Sequence, residues 1–203
     1  MTDSYEEFAW LAERGPFYDV SCVSFARSLT PREALTRLGA GLDDIEQVTF
    51  DGLQERTMEC IDADNLRSSY VGALETAGWT VLVQLWAGSI DFDRHLLPSL
   101  SQGTEVVAID RNLHAHDYFT YAVDGERITH FNQLSPYARM GSDPDRLVGE
   151  MREVGLDPDQ DWDGPGVHAP FQRSFALAKK ITGFSFSKSM LDMRFLAAVI
   201  SNG

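Results

Sequence analysis

The sequence Tyr118-Phe-Thr-Tyr-Ala-Val-Asp-Gly-Glu-Arg-Ile-Thr-His-Phe131 contains the clearest indication of the fold class. Two runs rich in aromatic and β-branched residues, 118–123 and 126–131, flank the dipeptide Asp124-Gly125. This dipeptide suits a type I′ turn, because both central residues of that turn need a positive φ angle. The stretch therefore predicts an antiparallel β-hairpin.

Further strands and helices are predicted on both sides of this hairpin. Predicted strands cover residues 18–27, 69–74, 79–86 and 104–111. Predicted helices cover residues 5–13, 31–38, 91–100, a segment after Gly141, 170–182 and 187–200, whereas 40–66 leaves open one or two helices. This order, without βαβ units, predicts an α+β fold with a mostly antiparallel sheet, flanking helices and a helical C-terminal third.

The helix at 31–38 has the best-marked boundaries. Thr30-Pro31-Arg32-Glu33 forms a capping box in which Thr30 and Glu33 bond each other's backbone amides. Pro31 occupies the first helical position, where its missing N–H costs nothing, and Gly39 suits the position after the helix.

The length of the chain predicts a single α+β domain over residues 1–203. Within it, the composition of residues 157–166 predicts an acidic loop. A chain of 203 residues is long enough to bury a substantial core without disulfides or metals. Cys22 and Cys60 lie too far apart for a C-x-x-C motif, so we expect two reduced thiols and no cofactor.

The charge is strongly acidic, with 31 acidic against 17 basic residues and a net charge of −14. Nucleic-acid binding draws on clustered Lys and Arg, so direct contact with nucleic acid is disfavoured. An acidic surface can steer a basic protein partner, or it can serve solubility alone. No apolar run approaches membrane-spanning length and residues 1–7 lack signal-peptide features, which predicts a cytoplasmic protein without membrane contact.

The histidines suggest a metal site at first sight. His114 and His116 have the i, i+2 spacing of one strand face, and His130 lies on the next strand. A two-residue turn pairs Phe119 with His130, which places His116 and His130 on opposite faces. His130 then shares a face with Phe119, and we expect a hydrogen-bonded core histidine.

An acidic motif, Asp159-Gln-Asp161-Trp-Asp163-Gly164, matches the opening of a calcium loop. The twelfth position of that loop is Pro170, where a calcium loop needs a bidentate Glu. The motif is therefore interpreted as a flexible acidic linker, with no metal site assigned, and calcium binding by this loop stays the alternative. Few apolar residues surround Trp162 in this sequence, so we expect its ring to be exposed. Trp162 is therefore a candidate partner-binding residue, together with Asp159, Asp161 and Asp163.

Candidate catalytic residues are few, because the chain lacks the G-x-S-x-G, H-E-x-x-H, P-loop and G-x-G-x-x-G motifs. A set assembled from distant positions such as Ser101, Asp110 and His114 remains open, since catalytic groups need be close only in space. Of these, Asp110 and His114 are the candidate catalytic residues.

Several short motifs resemble a family of actinobacterial proteins known as a domain of unknown function. They include Phe8-Ala-Trp10, Cys22-Val-Ser-Phe25, Ser101-Gln-Gly103, Gly141-Ser-Asp-Pro-Asp-Arg-Leu147 and Gly155-Leu-Asp-Pro158. The likeness covers nearly the full chain, and it implies one domain. It brings no catalytic residues with it.

Two functional hypotheses follow. The leading one is a non-enzymatic, immunity-like or regulatory factor whose acidic surface engages a basic protein. The alternative is a small-molecule or metal-dependent enzyme, with a site between the sheet and the C-terminal helices that holds Asp110, Arg111 and His114 together.

Overall fold

A computed structural model describes residues 5–86, 90, 93–112, 117–160, 163–164 and 166–201. Its strands are β1 (Ser21–Arg27), β2 (Glu46–Val48), β3 (Ser68–Thr76), β4 (Trp79–Leu85), β5 (Glu105–Arg111), β6 (Tyr118–Val123), β7 (Glu126–Asn132) and β8 (Phe195–Ser201). Across the described residues they form one eight-stranded sheet in the order β2-β8-β3-β4-β1-β5-β6-β7. Every pairing between these strands is antiparallel, which confirms the predicted mixed fold with an antiparallel sheet.

Both predicted hairpins are confirmed. Ala77 and Gly78 join β3 to β4 with φ angles of 50° and 78°. Asp124 and Gly125 join β6 to β7 with φ angles of 49° and 82°. In each turn both central residues have positive φ, as a two-residue type I′ connection requires.

The register of the second hairpin differs from the prediction. A β-bulge shifts the pairing between Tyr121 and Ala122, so that Thr120 pairs with His130 and Phe119 with Phe131. One extra residue moves every side chain beyond it to the other face. The placement of His130 beside Phe119 is therefore wrong, and His130 shares a face with Thr120.

Nine helical segments cover much of the sheet in the described residues. The α-helices are α1 (Gly15–Asp19), α2 (Pro31–Arg37), α3 (Phe50–Asp64), α4 (Leu96–Ser101), α5 (Val148–Val154) and α6 (Pro170–Thr182), and 3₁₀ helices span Glu6–Glu13, Leu42–Asp44 and Lys188–Asp192. The capping box of α2 is confirmed, with Thr30 N donating to Glu33 Oε2 at 2.8 Å and Glu33 N donating to Thr30 Oγ1 at 3.2 Å. No helix in the described ranges is both long and apolar enough to span a membrane.

The predicted helical C-terminal third is wrong at its end. Residues 187–200 were expected to form a helix, but only Lys188–Asp192 is helical, and β8 follows. β8 lies between β2 and β3, and its Phe195, Ala197, Ala198 and Ile200 are buried. A short apolar run fits a doubly buried strand as well as a helix, so periodicity alone does not separate the two.

The two faces of the sheet carry different cores. One face, here called the aromatic face, packs against α1, α3 and α6, and the first 3₁₀ helix packs in turn on α1 and α6. Its core includes ten phenylalanines, namely Phe8, Phe17, Phe25, Phe50, Phe119, Phe131, Phe171, Phe175, Phe186 and Phe195. The other face, here called the small-residue face, packs against α2 and α4, and its described core consists of alanine, valine, leucine, isoleucine and Cys22.

The outer edge of β7 is covered by residues 140–143. His130 and Met140 exchange two backbone hydrogen bonds of 2.8 Å, and Asp143 N donates to Ile128 O at 3.1 Å. Gly141 lies so close to β7 that a Cβ atom there would stand 2.2 Å from Ile128 O. Glycine is therefore required for this segment to reach the strand.

Candidate functional site

A groove between α3 and the β2 edge of the sheet is the first candidate site. It has a volume of about 610 Å³ and is called the acidic groove below. Its lining is Asp44, Glu46, Arg56, Glu59, Cys60, Ala63, Asp64, Ser68, Tyr70 and Val199. Four of these side chains are carboxylates and one is a guanidinium.

Helix α3 supplies one wall of the groove through regular spacing. Arg56, Glu59, Cys60 and Ala63 follow one another at i, i+3, i+4 and i+7, which places them on one helix face. The neighbouring face of α3 is buried and carries Phe50, Leu53 and Thr57. The helix thus presents a polar stripe to the groove.

The single cation of the groove is already paired. Arg56 contacts Glu46 at 3.3 Å and Glu59 at 3.0 Å, and these carboxylates raise its pKa. All three side chains are exposed, so solvent screens both ion pairs and each adds little to the stability of the fold. Within the described residues neither Asp44 nor Asp64 forms a salt bridge, although the nearby charge of Arg67 helps to lower the pKa of Asp64. The lining of the groove keeps a net negative charge.

Hydrogen bonds hold the floor of the groove in place. Ser68 Oγ donates to Asp64 Oδ2 at 2.5 Å, and this bond lowers the pKa of Asp64. Tyr70 Oη donates to Glu46 Oε1 at 2.8 Å. Burial raises the pKa of Tyr70, and the carboxylate of Glu46 raises it further. Asp64 therefore stays ionised and Tyr70 stays neutral at physiological pH.

A second candidate site, here called the polar patch, lies on the small-residue face. It consists of Cys22, Gln84, Asp110, Tyr118, Thr120 and His130. Strand pairing sets four of them in one row, because Gln84 pairs with Cys22, Cys22 with Asp110, and Asp110 with Tyr118. Asp110 is only 1% exposed, which is unusual for a carboxyl group.

The bulge in the second hairpin completes the polar patch. It turns His130 to the face of Tyr118 and Thr120, and Thr120 Oγ1 lies 2.6 Å from His130 Nδ1. The rings of Tyr118 and His130 stack with centroids 4.7 Å apart. A carboxyl, an imidazole, a phenol and a thiol thus share one buried region, and these groups can perform acid–base chemistry when a substrate reaches them.

The residues predicted as catalytic are only partly brought together. Ser101 precedes β5 and accepts a hydrogen bond from Gly125 N. Asp110 lies near the other end of β5, about 16 Å from the first residue of the strand at the usual rise per residue. Arg111 points to the aromatic face, where its guanidinium lies over the rings of Tyr18 and Phe171. A cleft containing both Asp110 and Arg111 is therefore not formed, and His114 lies outside the described residues.

The acidic linker gives little support to a calcium site. Asp159 binds Arg152 at 2.7 Å, and Asp163 is exposed. Pro170, at the position of the missing calcium ligand, is the first residue of α6. Asp161 and Trp162 lie outside the described residues, and among the described residues no three His, Cys, Asp or Glu side chains are placed so that they could hold a metal ion.

Sequence reasoning missed the acidic groove. A usable signal was present, since Arg56, Glu59, Cys60 and Ala63 have the spacing of one helix face. The pattern of 40–66 fits either one or two helices, so the sequence does not determine the helix that carries this stripe. Glu46 and Val199 come from β2 and β8, which were not predicted as strands.

Comparison with known proteins gives a family but no function. No curated protein and no solved structure matches the chain significantly. A family model described as "Family of unknown function (DUF6461)" matches residues 1–202. Because the match spans nearly the whole sequence, the chain belongs to the DUF6461 family.

Proposed function

We propose that this protein is a non-enzymatic binding factor that engages a basic protein partner through the acidic groove. The observation that carries the proposal is the groove itself, which holds four carboxylates around one paired arginine. Charge complementarity of this kind steers association and selects partners of opposite charge. The net charge of −14 acts in the same direction over a longer range.

The test uses two charge reversals on one helix. Glu59 lines the groove, while Glu55 is exposed on α3 outside the lining. The protein and its Glu59→Lys and Glu55→Lys variants serve as bait for a cell lysate, with captured proteins identified by mass spectrometry. We expect basic proteins that are captured by the wild type and by Glu55→Lys and are lost with Glu59→Lys.

Salt supplies a second arm of the same test. Raising the ionic strength from about 0.1 M to 1 M shortens the Debye length from about 10 Å to 3 Å, so capture through the groove should weaken strongly. Equal loss with both variants, or capture that high salt leaves unchanged, would argue against the proposal.

The polar patch supports a second candidate function, the binding of a small molecule with or without its chemical conversion. Its specific support is the burial of Asp110 in one row with Cys22 and Tyr118, next to His130. Buried ionisable groups cluster at ligand and catalytic sites. The metal-dependent form of this hypothesis draws no support from the described residues.

A metabolite screen by thermal shift tests the second function. A true ligand raises the melting temperature of the wild type and fails to raise that of a His130→Gln variant, whatever the melting temperature of the free variant. A ligand that stabilises both proteins equally binds elsewhere, and a screen without any stabilising compound removes this candidate.

A further inference from the structure

The last part of β8 has a hydrogen-bonded neighbour on one side only. β3 pairs with β8 from Leu196 to Ser201, whereas β2 pairs only with Phe195, Leu196 and Ala197. Residues 198–201 therefore form an edge of the sheet, and no other described segment makes a backbone hydrogen bond to it. Such an edge presents backbone N–H and C=O groups that can pair with another strand.

Within the described residues this short edge lacks a charged side chain, a proline and a hydrogen-bonded covering segment. Natural edge strands are often guarded by lysine, by proline or by a covering segment. The sequence Ala198-Val199-Ile200-Ser201 contains no charge and no proline. The opposite edge of the sheet is protected, because residues 140–143 cover β7 and form backbone hydrogen bonds with it.

The acidic groove runs beside the open edge. Val199 is 52% exposed and lines the groove with Tyr70, its partner across the β3–β8 pairing. A strand added at residues 198–201 would direct every second side chain towards α3. There it would meet Asp44, Glu59 and Asp64, so basic side chains at alternate positions fit this environment.

From these observations we propose that residues 198–201 of β8 are the docking site for an extended basic segment of the partner, which adds to the sheet as a further strand. The inference rests on the proposed function, because the groove supplies the charge that selects the segment. Main-chain hydrogen bonds provide affinity in this mode, and alternate side chains provide specificity. A second copy of this chain is a poor occupant, because it would bring the same carboxylates to the edge.

The experiment uses three forms of a blocked peptide of alternating threonine and lysine. One is unmodified, one is N-methylated at the threonine amides, and one at the lysine amides. All three carry the same charge, but amides of alternate residues point to opposite edges of a strand. Binding is followed by amide NMR of the full protein.

Strand addition predicts that the unmodified peptide shifts the amide signals of 198–201. One methylated peptide should lose at least about tenfold in affinity, while the other retains it. Val199→Lys should weaken binding about tenfold through its edge charge. Met193→Lys, at another exposed apolar residue just before β8, should leave it unchanged.

Other outcomes separate the two proposals. If both methylated peptides bind as well as the parent, the groove attracts charge without strand pairing, so this inference fails and the proposed function stands. If no basic peptide binds, both fail. If sedimentation shows a dimer that Val199→Lys dissociates, the edge is occupied by a second copy and the inference is overturned.

Discussion

The two faces of the sheet are buried by different means. On the aromatic face, large rings fill the space between strands and helices, and Phe175 alone contacts Phe8, Phe25, Phe171 and Phe186. On the small-residue face, short side chains let α2 and α4 pack against the strands.

Because of this difference, we expect the two faces to contribute differently: the aromatic face to stability, and the small-residue face to any chemistry. Buried ionisable groups such as Asp110 and His130 occur on the small-residue face, where short neighbours leave room for polar side chains. The side chains of the aromatic face mainly pack against one another. Removing one of them should therefore lower the free energy of unfolding. The small-residue face should instead be sensitive to added volume.

The largest effect is expected on the aromatic face. Phe175→Ala removes a ring that is 1% exposed and leaves a cavity, so we expect a loss of about 3–5 kcal/mol in the free energy of unfolding. Urea denaturation measures it. Leu42→Ala, at a residue that is 60% exposed, should change stability by no more than about 0.5 kcal/mol. Similar losses in the two variants would contradict the assigned packing.

A smaller effect is expected from added volume on the small-residue face. Ala108 is fully buried between Ser24 and Thr120 of the neighbouring strands. Ala108→Leu should cost about 1–3 kcal/mol through overpacking, again by urea denaturation. Ala138→Leu makes the same change at an exposed residue and should be nearly neutral. An unchanged Ala108→Leu variant would mean that this face has unfilled space.

The smallest effect concerns a polar exception on the aromatic face. Tyr121 donates to Glu105 Oε2 at 2.7 Å, and burial together with this carboxylate raises the pKa of Tyr121 to about 12. Because the folded state holds the proton more tightly, this contribution to stability is complete below pH 10. It is lost as the pH rises from about 10 through 12.

Tyrosinate absorbance during an alkaline titration checks the value for Tyr121. Tyr121→Phe should remove one late-titrating group, and Glu105→Gln should move the transition of Tyr121 back towards the ordinary value. Tyr70 also has a raised pKa and serves as an internal reference, since neither substitution touches its partner Glu46. A Tyr121 that titrates near 10 in the wild type would contradict the contact with Glu105.

Local signals in the sequence predicted local structure well. The dipeptide Asp124-Gly125 and the box from Thr30 to Glu33 each determine their own geometry, and both are confirmed. The bulge at Tyr121 and the strand β8 depend on distant partners. The spacing of apolar residues in 195–200 predicts a helix. These residues form a strand because they pair with β2 on one side and with β3 on the other.

The candidate sites show the same limit. Asp110 was selected from the sequence and is buried in the polar patch, but its neighbours Cys22 and His130 come from other strands in a register that the bulge sets. The acidic groove combines α3 with strands that were not predicted. That the whole chain forms one domain stays a prediction.

The covered edge of β7 limits how far any sheet built on this protein can grow. Amyloid-like or filamentous growth needs two open edges, so that each added chain offers a new one. In the described part of the chain residues 140–143 cover one edge, and the strand edge that stays open lies at the other end of the sheet, along β2 and residues 198–201 of β8. A chain that adds a strand at this end cannot be followed by another at the β7 edge, because that edge is covered. The protein should therefore stop the growth of a sheet and not extend it.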